Sequence, residues 1–149
     1  MPLGHLGLNV PDLGAAQRYY DRLMPALDYE AFPLHPGPDG VFDQFAYRPA
    51  GGRIGTYLFF YPATTPGPTT PPGAENSAPG NSAPGLQHLA FIVPSRSRVQ
   101  AARAVAAELG SPIVHEPRVF PEYPQPYFAT FWLDPFGTML EAVCHHDRA

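Results

Sequence analysis

Cysteine is nearly absent. Cys144 is the single one in 149 residues, which excludes an internal disulfide and any zinc site built on several thiolates. A metal bound here must take nitrogen and oxygen ligands. No run of 18 apolar residues occurs, and MPLGHLGLNV has neither the basic start nor the apolar stretch of a signal peptide. A soluble, cytoplasmic protein is therefore expected. The formal charge is −4 with no basic stripe, which gives no support for nucleic acid or an acidic membrane as partner. A small molecule is the expected partner.

Proline, by contrast, is abundant: 21 residues, far above ordinary use. They concentrate in Pro62–Pro84, PATTPGPTTPPGAENSAPGNSAP, which has almost no bulky apolar residue and repeats NSAPG. Such a run forms neither a helix nor a central strand and reads as a flexible linker. It divides one domain, 1–149, into modules 1–61 and 85–149, each small for independent stability. As bait for a partner domain it is weak, because it lacks flanking basic residues.

The two halves read as copies. His5-Leu6-Gly7-Leu8-Asn9-Val10 is matched by His88-Leu89-Ala90-Phe91-Ile92-Val93, both alternating strands. A capping segment follows in each, Asp12-Leu13-Gly14 and Ser95-Arg96-Ser97, and then helical periodicity. Leu13, Ala16, Tyr20, Leu23 and Leu27 mark one buried stripe; Val99, Ala102, Val105, Ala106 and Leu109 mark the other. Pro25 is expected to bend or shorten the first helix. Three extended stretches follow in each half, ending with Gly55–Phe60 and Gly137–Ala142. The opening histidine lies 54 residues before Phe59 and 53 before Glu141. The spacing predicts an α+β fold of two βαβββ modules forming a cupped mixed sheet, with helices on its outer face.

Strand alternation puts His5 and Gly7 opposite Leu6 and Leu8, His88 opposite Leu89, and Glu141 opposite Leu140 and Ala142. Two histidines and a carboxylate thus face away from the helices. The paired HLxxxV openings, the Asp134-Pro135-Phe136-Gly137 turn and the GTMLEAV strand resemble the vicinal oxygen chelate superfamily of glyoxalases, bleomycin resistance proteins and type I extradiol dioxygenases. In that family the ligands sit on the first and last strands of each module, positions held here by His5, Phe59, His88 and Glu141. Phe59 cannot bind metal. The resemblance implies a divalent metal on His5, His88 and Glu141, and Fe, Mn, Zn or Ni all suit such atoms.

The implied activity is a metal-dependent dioxygenase, lyase or isomerase reaction on a small aromatic or carbonyl substrate. Metal-free relatives use the same cup for binding alone, and this is the alternative. Tyr57, Phe59, Phe131 and Met139 suggest an aromatic-lined pocket, with ordinary sheet packing as the equal alternative. Tyr123 and Tyr127 are candidate catalytic groups, though exposed turn tyrosines are at least as good a reading. The tyrosine and histidine that precede the last strand in ring-cleaving relatives have no match, since Phe131 takes the tyrosine's place. Gly7 and Phe59 likewise depart from the thiol-transferase and glyoxalase I patterns. His115, His145 and His146 read as surface residues, His35 lies in the loop signal Leu34-His35-Pro36-Gly37, and Cys144 lacks an activating partner. A homodimer is expected by analogy.

Overall fold

The computed structural model describes residues 3–40, 43–65, 85–146 and 149. The chain divides into two compact units, Met1–Gly67 and Pro68–Ala149. Each carries one four-stranded mixed sheet of the same topology, β1-β4-β3-β2 and β5-β8-β7-β6. The first strand pairs parallel to the last, and the other pairings are antiparallel.

In the first unit β1 (His5–Val10) leads into α1 (Leu13–Leu23), a 3-10 turn (Met24–Leu27), β2 (Tyr29–Phe32), β3 (Phe45–Pro49) and β4 (Tyr57–Pro62). Asp12 caps α1 by accepting from Ala15 N at 2.8 Å, satisfying an amide that has no partner inside the helix. Pro25 removes the amide that would continue the α-helix, so the last turn tightens to 3-10 and Asp28 closes it in the left-handed region at φ 60°. Tyr20, Leu23, Met24, Tyr47, Leu58 and Phe60 are all buried, the ring of Tyr20 lying 4.5 Å from that of Phe60 and Phe45 stacking on Phe60 at 4.6 Å.

The second unit repeats the plan with β5 (Leu89–Ile92), α2 (Arg96–Glu108), β6 (Ile113–Val119), β7 (Phe128–Leu133) and β8 (Met139–Cys144). Ser95 caps α2 through Arg98 N at 3.3 Å. Val99, Ala102 and Ala106 of the helix are buried, as are Trp132, Leu140 and Ala142 of the sheet. The opposite sheet face carries its own apolar cluster of Phe120, Ala129, Phe131, Met139 and Val143. Among the described residues no helix is long and apolar enough to cross a membrane.

Two expectations need correction. The linker does not begin at Pro62, because that residue ends β4 opposite Val10, and Ala63 N donates to Val10 O at 2.8 Å. A proline is tolerated at such a strand end. The remainder of the proline-rich run, 66–84, lies outside the described residues. Nor does His88 open a strand: β5 starts one residue later, at Leu89.

Candidate functional site

The geometry of the second unit brings three candidate residues together. Glu141 lies on β8, in register with Ala90 of β5 and Phe131 of β7. Its side chain is 0% exposed, on the face that carries Phe131, Met139 and Val143. The turn before β8 fixes its start. Asp134 Oδ1 accepts from Phe136 N at 2.9 Å and Thr138 N at 2.8 Å, and Gly137 takes the φ of 84° that this turn requires.

Two groups meet the buried carboxylate. Tyr127 Oη donates to Oε1 at 2.6 Å, and His88 Nε2 stands 3.0 Å from Oε2. Oε2 nevertheless has no aligned hydrogen bond. Distance and alignment disagree, and alignment decides whether a proton is shared. His88 Nδ1 is hydrogen-bonded to the side-chain oxygen of Gln87. In the tautomer that donates from Nδ1 to Gln87, Nε2 presents a lone pair toward Oε2. In that tautomer the half-exposed imidazole and the buried carboxylate are two atoms that could hold a cation. Ligands at right angles, each about 2.1 Å from a cation, stand about 3.0 Å apart, which matches the observed separation. The pair therefore fits a divalent metal, although no group of three His, Cys, Asp or Glu side chains clusters among the described residues.

The phenol of Tyr127 is pushed above the ordinary tyrosine range, first by burial and then by its bond to Glu141. It thus remains a donor at neutral pH. Tyr123 is 45% exposed and makes ring contacts with Phe120 and Tyr127 instead. Phe131 and Met139 are buried in the cluster around the carboxylate and form its floor.

In the first unit His5 is exposed, with its ring edge-on to Phe59 at 5.7 Å. Phe59 pairs with Gly7 as Glu141 pairs with Ala90, so the duplication places a phenylalanine where the second unit has its carboxylate. Tyr57 and Phe59 both contact Phe32, at 5.2 and 6.4 Å. A groove of about 460 Å³ between α1 and the β2–β3 edge, lined by Gln17, Asp21, Phe32 and Phe45 among others, includes neither His5 nor Phe59.

Some participants were not anticipated. Gln87 orients His88, and only its adjacency to the histidine signalled this. His115, read as a surface residue, is exposed, but its ring stands edge-on to Phe131 and Phe120 at 5.5 and 5.7 Å. It pairs with Phe131, which in turn pairs with Glu141, so it belongs to the same row across the sheet. His145, also exposed, has its ring 5.1 Å from that of Tyr127. Cys144 is buried, with Sγ 3.3 Å from His146 O.

Two βαβββ units, each with its first strand parallel to its last, are the architecture of the glyoxalase fold. The chain belongs to the Glyoxalase/Bleomycin resistance protein/Dioxygenase superfamily, whose family model matches residues 3–142. Similar solved structures include a candidate glyoxalase from Bacillus halodurans, with TM-score 0.69, 26% identity, and coverage of 95% of this chain and 94% of that one. A glyoxalase/dioxygenase from Nostoc punctiforme superposes with TM-score 0.64 at 21% identity, covering 97% and 91%. A lactoylglutathione lyase from Agrobacterium tumefaciens does so with TM-score 0.58 at 16% identity, covering 95% and 92%. No curated protein matches.

Proposed function

We propose that the protein binds a divalent metal through His88 Nε2 and Glu141 Oε2 and catalyses a glyoxalase- or dioxygenase-type reaction on a small aromatic or carbonyl compound. The observation that carries this reading is the buried Oε2, facing an imidazole nitrogen at 3.0 Å without a hydrogen bond. Burying a carboxylate is costly unless a cation or donors compensate. A bound divalent ion supplies Lewis acidity toward adjacent oxygens of a substrate. Gln87 holds the His88 ring so that Nε2 is the ligand atom. Phe120, Phe131, Met139 and Val143 keep water from the carboxylate and favour an apolar or aromatic ligand over a highly charged one. Fe, Mn, Zn and Ni are all acceptable to these atoms.

A second reading, metal-free binding in the manner of a bleomycin resistance protein, is favoured by the lack of a three-donor cluster among the described residues. Elemental analysis of protein purified without chelators separates the two. About one transition-metal ion per chain, lost in Glu141→Ala and His88→Ala, is the expected result. Protein free of metal that gains no heat signal from added MnCl2 or ZnCl2 sinks the metal reading. Homodimerisation belongs to the same proposal by analogy with the family, and a monomer by light scattering at micromolar concentration contradicts it.

A further inference from the structure

The two oxygens of Glu141 are not equivalent. Oε1 accepts from Tyr127 at 2.6 Å, whereas Oε2 has no hydrogen bond and faces His88. We infer that Tyr127 is a positioning residue which, by occupying Oε1, fixes the rotation of the carboxylate and reserves Oε2 as a single ligand atom for the cation. The inference rests on the metal reading above.

The terminal torsion of a glutamate is broad and roughly two-fold, so an unrestrained carboxylate turns freely between one-oxygen and two-oxygen coordination. Around Glu141 the same sheet face offers Phe131, Met139 and Val143, none of which has a side-chain donor. The phenol of Tyr127 supplies the restraint. It is itself held by the segment between β6 and β7. Phe120 N donates to Tyr127 O at 3.0 Å, Gln125 Nε2 donates to Phe120 O at 2.6 Å, and Tyr127 N donates to Gln125 Oε1 at 3.3 Å. Gln125 thus ties both ends of the segment, and the rings of Phe120, Tyr123 and His145 pack around the phenol. A carboxylate held to one oxygen suits small ions with short, directional bonds, whereas calcium favours more oxygen ligands and takes carboxylates bidentately. Tyr127 therefore sets ion selectivity as well as affinity.

The test titrates MnCl2 and CaCl2 into the chelator-treated full chain by calorimetry, comparing wild type with Tyr127→Phe, which keeps the ring and deletes the donor. Loss of an outer partner of a ligand weakens metal binding about 10–100-fold, so the Mn Kd is expected to rise by that factor while the preference for Mn over Ca narrows. Infrared difference spectra, loaded minus free, are expected to show a smaller splitting between the carboxylate stretches in the variant, the mark of two-oxygen binding. Gln125→Ala, which leaves the phenol intact but unties the segment, is expected to weaken Mn in the same direction and by less, and it carries the test if Tyr127→Phe does not fold. Wild-type affinity, selectivity and splitting in a folded variant overturn the positioning role and leave the metal reading standing. A wild-type protein that binds neither ion overturns both.

Discussion

Replacing Glu141 by leucine is expected to make the metal-free protein more stable. The side chain is fully buried beside Phe131, Met139 and Val143, and an ionised carboxylate in such a place carries a desolvation penalty of several kcal/mol. Against this stands the bond from Tyr127 at 2.6 Å, of the kind that contributes about 1.5–3 kcal/mol. His88 Nε2 adds little through a contact that is not aligned as a hydrogen bond. Leucine roughly conserves volume and matches the apolar floor, and the half-buried Tyr127 phenol can turn toward solvent when its acceptor is gone. Exchanging buried ionic groups for apolar ones of similar size is often neutral or stabilising by about 1–4 kcal/mol. At about 2–4 °C per kcal/mol for a chain of this length, a gain of about 1–4 kcal/mol should raise melting by about 2–16 °C. The assay is differential scanning calorimetry at pH 7.5 with EDTA, run beside a manganese titration that the variant should fail. Stability lowered by about 2 kcal/mol or more would show that Glu141 belongs to a structural ion pair and not to a site where stability is given up for function.

Two further outcomes follow from other parts of the fold. Tyr47, which donates to Asp21 at 2.7 Å, and Tyr127 both have pKa values raised, by burial first and then by their carboxylate partners. Their contribution is present below the unfolded tyrosine value of about 10 and fades as pH rises toward the folded values, so stability should fall above pH ~10. Tyr47→Phe should flatten that alkaline loss in denaturant melts, and an unchanged profile contradicts the assignment. Gly137→Ala meets φ 84° at the turn before β8 and should lower stability by about 1–2 kcal/mol in urea melts, with no loss pointing to a turn that relaxes freely.

The duplication was legible in the chain because strand alternation and helix periodicity are local properties. Capping Asp12 and Ser95 and the DPFG turn each dictate backbone geometry over a few residues and appear where expected, as does the opening of β1 at His5. The same alternation predicted that Glu141 faces away from Leu140 and Ala142, and the apolar cluster on its face agrees. Proline composition marked the divide between the halves, while the strand pairing of Pro62 with Val10 depends on a partner some fifty residues away, beyond the reach of composition.

What tertiary structure alone decided is which groups meet. His115 is exposed as a surface residue should be, but its ring contacts with Phe120 and Phe131 were hidden, because β6 carries register shifts on both sides of it and a bulge breaks the two-residue rhythm from which a facing direction is counted. Tyr123 and Tyr127 were indistinguishable as loop tyrosines; the tie made by Gln125 places Tyr127 against the carboxylate. The inequality of Glu141's two oxygens was likewise hidden, because it arises from one donor just before β7 and one imidazole just before β5, the strands that flank β8 in the sheet. Residue type and local periodicity specify what a side chain can do and which face it takes. Its actual partners are set by long-range closure, whose geometry is carried by residues distant in sequence.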